Sequence, residues 1–336
     1  MSEVRRAWDA LIGEGRTEPG WHVRRVHSVS SCDIRAAISA PSGALALLFE
    51  VQSRSIPAGA ALPACVGFQL TPETMVPGPS GQTRLCLSLR DARFRTVFET
   101  LAGDVAGAVA SAPSESLGVK ALLTRLRTWE RFVQRFGPDH LSDEQQLGLF
   151  AELRFLTSCI LPFIDTGAAV NGWRGPHGEP QDFRFRAAAI EVKATASRNP
   201  VSFRVSNLDQ LDRNTLEILL VHFLAVDPGS PSGPTLPEVV ADLRAALANA
   251  DPVAASDLDL SLIEAGYLDQ HEPAYADKRY AVRSVSWFVV EAGFPRLTRS
   301  TVPPGIGEVK YSVMLQSCAP YMIDEATALG MLRGRI

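Results

Sequence analysis

Residues 181–196 read QDFRFRAAAIEVKATA, and the rest of the chain is organised around this stretch. Asp182 to Phe185 alternates polar and apolar residues, as a short half-buried strand does. Ala189 to Thr195 reads as a second strand, joined to the first by a hairpin at Arg186 to Ala188. Successive strand side chains point to opposite faces, so Glu191 and Lys193 share one face and Val192 takes the other. If the two strands pair antiparallel, Asp182 can approach Glu191. Carboxylates that close repel, and one of them holds a proton unless a cation lies between them. A divalent metal removes the conflict. Mg²⁺ usually takes one or two carboxylates, several waters and a phosphate oxygen. Lys193 then supplies positive charge beside an attacking water or a phosphate.

On the N-terminal side, a helix is expected from Ser142 to about Leu161. Ser142 and Gln145 form a capping box, and Leu147, Phe150, Ala151 and Phe155 follow at helical spacing. Glu152 lies inside GLFAELRFL (148–156), at the edge of that apolar stripe. A carboxylate there needs a partner. A metal on the facing sheet provides one directly or through water; pairing with Arg154 or a neighbour, worth about 0–1 kcal/mol, is the alternative. On the C-terminal side, Val201 to Val205 reads as a third strand, SNLDQLDR (206–213) as a short helix capped by Ser206 or Asn207, and LEILLVHFLAV (216–226) as a buried strand. Trp173, in the turn NGWRGP (171–176), reads as a packed residue rather than a base-stacking platform.

The 336 residues carry 33 basic and 37 acidic side chains, a net charge of −4, so a nucleic-acid footprint spanning the whole chain is absent and any such surface is local. No apolar run reaches the roughly 18 residues of a membrane span. The first fifteen residues lack the apolar core of a signal peptide. Five scattered cysteines with no CxxC pair read as reduced thiols, and the expected location is the cytoplasm. The histidines have no metal-ligand spacing, and neither a GxxxxGK[ST] loop nor a GxSxG elbow is present. Three parts are expected: a β-rich lobe over 1–115, an α/β core over 119–227 with a mixed central sheet flanked by helices, and a mixed α+β extension over 228–336. The lobe holds strands near 21–29, 34–38, 44–51, 65–70 and 85–89, a turn across PETMVPGPSG (72–81) and a closing helix over 91–109. An arginine-rich helix covers 119–136; a helix over 237–249 and strands near 280–290 and 308–315 complete the chain.

Glu152 on a helix, then Asp182, then Glu191-Val192-Lys193, resembles the PD-(D/E)XK nuclease superfamily, which has the restriction-endonuclease-like fold. GLFAELRFL, NGWRGP, QDF, IEVKAT and SNLDQLD together resemble, more closely, the PD-(D/E)XK motif protein family, over roughly residues 142–226. That resemblance implies metal-dependent cleavage of phosphodiester bonds, with Mg²⁺ or Mn²⁺ as cofactor. It implies nucleic acid, DNA above all, as substrate, and a bacterial anti-phage defense operon as setting, with an ATPase or helicase as partner. It implies Asp182 and Glu191 as the two motif acids, Lys193 as the motif lysine, Glu152 as the helix acid and Gln210 as the glutamine that some branches place after the third strand. Asp182, Glu191 and Glu152 are then the metal ligands. Gln181 stands where the motif's proline is usually written, a departure that removes no ligand.

Arg184, Arg186, Arg198 and Arg204 surround the acids in sequence and can hold phosphates, although a solvated strand face accounts for them equally. Two rival readings stay open. One is a nuclease fold without catalysis, serving as a DNA-binding or scaffold subunit. The other is a metal-independent hydrolase or a transferase.

Overall fold

The computed structural model describes residues 2–59, 61–74, 81–213 and 216–336. The chain divides into two compact units, Met1–Asp139 and His140–Ile336. The turn expected across PETMVPGPSG falls largely on residues 75–80, outside the described residues.

The first unit runs α1 (Glu3–Glu14), β1 (Gly20–Val26), β2 (Asp33–Ala40), β3 (Ala44–Gln52), β4 (Phe68–Thr74), β5 (Gln82–Leu89), α2 (Arg95–Ala110) and α3 (Glu115–Phe136). Its strands form one antiparallel sheet in the order β1-β2-β3-β5-β4. Leu45 to Phe49, on the central strand β3, are buried without a break. That is the signature of a strand covered on both faces rather than one. Val4, Ala7, Trp8 and Leu11 make the buried stripe of α1, a helix the sequence reading did not name. The Trp8 indole donates to the carbonyls of Ala37 and Ala46, 3.1 Å from each, and so ties α1 to β2 and β3. Helix α3, expected at the start of the core, packs on α2 within this unit, its stripe of Leu122, Leu126, Trp129 and Val133 buried.

The second unit continues with α4 (Asp143–Phe155), α5 (Thr166–Gly172), β6 (Phe183–Arg184), β7 (Ala188–Thr195), β8 (Ser202–Val205) and β9 (Ile218–Pro228). It closes with α6 (Leu236–Ala250), α7 (Pro252–Glu264), α8 (Glu272–Tyr275), β10 (Tyr280–Val289), β11 (Tyr311–Met314), α9 (Leu315–Cys318), β12 (Met322–Ile323) and α10 (Glu325–Leu332). The sheet order is β12-β10-β9-β7-β6, mixed because β7 and β9 run parallel while the other pairs are antiparallel. Strand β10 pairs with β9 along its length, so the stretch expected as a mixed α+β extension from residue 228 adds β10 and β12 to the core sheet. Chain order could not reveal this, because the pairing closes across the helices α6 to α8.

Helix α4 lies on one face of this sheet. The Phe155 ring meets Phe183, His222 and Trp287 at centroid distances of 4.8, 4.9 and 5.7 Å, and Phe150 meets Tyr280 at 4.8 Å. Aromatic pairs at such separations contribute about 0.5–1.5 kcal/mol beyond their buried area. A second apolar cluster joins Ala189, Val221, Phe223 and Phe288 of the sheet to Phe203 and Val205 of β8 and Val313 of β11. Strands β8 and β11 form their own antiparallel ribbon.

The helix expected over 206–213 is a turn. The Asn207 Oδ1 accepts the amides of Asp209 and Gln210, and the Gln210 Oε1 accepts the amide of Ser206. Side chains that satisfy nearby amides compete with helical hydrogen bonds, and here they win.

Candidate active site

The β6–β7 hairpin forms as the alternation predicts. Phe183 pairs with Ile190 and Arg184 with Ala189, so one further step places Asp182 opposite Glu191. The Asp182 Oδ2 accepts the amide of Val192 at 2.7 Å. Its backbone carbonyl accepts the amides of Arg174 and Gly175, at 2.7 and 3.0 Å, which bind the strand to the turn after α5. Gln181 anchors the other side: its Nε2 donates to the carbonyls of Asp209 and Gln210.

Glu191 is 1% exposed, and its Oε1 lies 2.6 Å from the Lys193 Nζ. Its Oε2 meets no regular hydrogen-bond partner among the described residues. Glu152, three residues before Phe155 on α4, shares the sheet-facing side of the helix. The Trp173 Nε1 donates to its Oε2 at 2.7 Å. A Cβ placed on Gly175 would stand 3.0 Å from both the Asp182 Oδ1 and the Glu152 Oε2, so those two oxygens lie within twice that distance of each other. Glu152, Asp182, Glu191, Lys193, Arg204 and Gln210 line one cavity of about 390 Å³. The sequence reading thus names five residues that the tertiary structure brings together, from four segments of the chain.

The electrostatics follow from crowding and burial. Burial raises the Glu191 carboxyl to about 8; the Asp182 charge adds to the rise and Lys193 opposes it. Asp182 is also raised by burial, with Lys193 and the Val192 amide pulling the other way. Burial works against the Lys193 charge, but Glu191, Asp182 and Glu152 outweigh it and hold the ammonium above its ordinary range. Lys193 therefore answers to three acids, and protons make up part of the balance.

No group of three or more His, Cys, Asp or Glu among the described residues forms a ready cage for a metal ion. Glu152, expected as a third ligand, accepts the Trp173 indole at its Oε2. The donor set that fits a hard divalent cation is the Asp182–Glu191 pair, the number of carboxylates Mg²⁺ commonly takes alongside water. The buried Glu191 carboxylate, whose Oε2 has no regular partner among the described residues, is the group such an ion would serve.

Gln210 reaches the cavity, and its side-chain carbonyl holds the Ser206 amide at 2.7 Å. Of Arg184, Arg186, Arg198 and Arg204, only Arg204 lines the cavity among the described residues. His177 pairs with Glu264 of α7. Trp173, read from sequence as a packed residue of the NGWRGP turn, is fully buried; that its indole reaches Glu152 and that Gly175 lets two carboxylates converge is visible only in the fold.

A family model described as "Putative PD-(D/E)XK family member, (DUF4420)" matches residues 4–316. Neither the curated proteins nor the solved structures contain a match.

Proposed function

The chain belongs to the PD-(D/E)XK family, and from that membership together with the geometry of the acidic cavity we propose that it is a Mg²⁺-dependent nuclease, cleaving phosphodiester bonds of DNA. The observation that carries this reading is the convergence of Asp182, Glu191 and Glu152 on Lys193 in one cavity. Asp182 and Glu191 hold the ion, with Mn²⁺ able to replace Mg²⁺. Bound there, it would supply a water of lowered pKa and positive charge for the phosphate. Lys193, kept charged by its acidic neighbours, orients the attacking water and offsets charge on the phosphate. Glu152, held by Trp173, acts on the site through water. Gln210 shapes the rim by holding the 206–210 turn. Arg204, on β8, faces the phosphate. Family resemblance alone supports the setting, a bacterial anti-phage system with an operon-encoded ATPase or helicase.

The test is incubation of the purified chain with plasmid and Mg²⁺ or Mn²⁺, beside Asp182→Ala, Lys193→Ala and an EDTA control. Cutting by the wild type alone supports the reading. Equal cutting by all three proteins, or cutting in EDTA, refutes it. A second reading, a silent nuclease fold that binds DNA as a scaffold, is favoured by the Lys193–Glu191 ion pair and by the lack of a ready metal cage among the described residues. DNA binding by the wild type, with no cutting under any metal even beside its partner proteins, would support it.

A further inference from the structure

We infer that a second, cationic recess at the β6 edge of the sheet binds the phosphate backbone of the substrate strand as it leaves the acidic cavity, an inference that rests on the nuclease reading. The recess has a volume of about 380 Å³ and is lined by Arg174, Arg184, Arg186, Asn171 and Glu179. Three arginines and one carboxylate thus line it, with Arg184 also reaching a neighbouring cavity that holds Asp209, Asp212 and Arg213. Among the described residues the Glu179 carboxylate holds only Arg174, loosely, at 3.8 Å with both side chains 38% exposed. Water screens such a pair heavily. Arg184 and Arg186 have no ion pair among the described residues. Elsewhere in the same unit Arg244, Arg279, Arg299 and Arg335 are matched to carboxylates, all within 3.0 Å.

The recess is built rather than incidental. A Cβ on Gly172 would come within 2.2 Å of the Phe185 ring, so Phe185 is seated directly on the end of α5. Phe185 stands between Arg184 and Arg186, and its seating fixes the arginine-bearing hairpin against that helix. The hairpin also carries Asp182. Along an extended strand two residues advance roughly 6.6–6.8 Å, so Arg184 is one such step from the acidic cavity and Arg186, on the hairpin turn, lies beyond it. Cationic groups in series from an acidic metal site suit a polyanion, and guanidinium groups suit phosphate oxygens in particular. Interactions of this kind set register on the strand and carry no sequence information.

The experiment compares binding of a fluorescent DNA duplex, in EDTA so that nothing is cut, by the full-length wild type, Arg184→Ala/Arg186→Ala, Arg184→Lys/Arg186→Lys and Asp182→Asn. The expected result is binding about tenfold or more weaker for the double alanine variant, with a plot of log affinity against log salt shallower by about 0.9 for each phosphate that is no longer neutralised. The lysine variant recovers part of the affinity, and Asp182→Asn, which removes one acid facing the strand, binds no more weakly than the wild type. Unchanged affinity and unchanged salt dependence in the double alanine variant would overturn the inference, as would a wild type that binds no duplex. Cutting by Asp182→Asn with Mg²⁺ would instead defeat the nuclease reading, leaving the recess to be judged by binding alone.

Discussion

The Trp173 indole Nε1 donates a 2.7 Å hydrogen bond to the Glu152 Oε2, joining the turn after α5 to helix α4 at the rim of the acidic cavity. Trp173 is fully buried, so this donor is fixed by packing. Glu152 is thereby aimed at Lys193, whose charge it helps to hold. Trp173→Phe keeps most of the ring and removes the donor. The expected cost is about 1.5–3 kcal/mol of stability, the range for a hydrogen bond to a charged group. Cleavage is expected to fall about tenfold. A double-mutant cycle with Glu152→Gln, read by denaturant unfolding, should give a coupling of about 0.5–3 kcal/mol. Additive effects would show that the indole does not act through Glu152.

Gly175 offers a cleaner probe of convergence. Its missing Cβ leaves room for the Asp182 and Glu152 oxygens. Gly175→Ala pushes the two carboxylates apart by a few tenths of an ångström and disturbs no positive-φ backbone. Cleavage should drop at least tenfold while the melting temperature stays within a few degrees, since about 1 kcal/mol shifts a domain of this size by roughly 2–4 °C. Wild-type turnover in this variant would show that the spacing of those oxygens is not critical.

The buried Glu191 carboxyl makes stability depend on pH. Its folded-state pKa is about 8, above the ordinary glutamate value of 4.5. Between those values the native state keeps a proton that the unfolded chain releases, so stability falls as pH rises through this window. The slope from this one group is at most about 1.4 kcal/mol per pH unit. Below the lower value its contribution is fully present, and above the upper value it is lost. Thermal melts of metal-free protein should show a steeper decline across the window in the wild type than in Glu191→Gln. Parallel pH profiles would mean that Glu191 is ionised at neutral pH.

Metal binding should compete with that proton. Ligating carboxylates must be ionised, so divalent-ion affinity rises with pH. Mg²⁺ or Mn²⁺ is expected to raise the melting temperature, and by more at pH 8.5 than at pH 6. Asp182→Asn and Glu191→Gln should remove the shift. This readout does not depend on turnover, and a shift retained in both variants would place the ion elsewhere.

Gln210 is expected to serve the turn before it serves the chemistry. Its Oε1 holds the Ser206 amide, and Gln181 bonds its backbone carbonyl. Gln210→Ala should cost about 0.5–1.5 kcal/mol, the worth of an ordinary hydrogen bond. Cleavage should fall far less than in Asp182→Asn. A loss equal to that of Asp182→Asn, with the melting temperature unchanged, would give Gln210 a direct role.

What could be read from the residues alone was local. Alternation of side chains along a strand depends on nothing beyond the strand, so the shared face of Glu191 and Lys193 was legible, as was the hairpin that sets Asp182 opposite Glu191. Helical spacing likewise marked α4 and put Glu152 beside its apolar stripe. Long-range pairing was not legible. Only folding shows β10 closing on β9, the Trp173 ring reaching Glu152, and Phe185 pressing on Gly172. The 206–213 segment failed for a further reason: Asn207 and Gln210 satisfy their own neighbours' amides, and helical periodicity is blind to that competition. Periodicity reports which way a side chain points within its own element; which partner it meets is decided when the elements pack, and in this protein the acidic cavity exists only at that level.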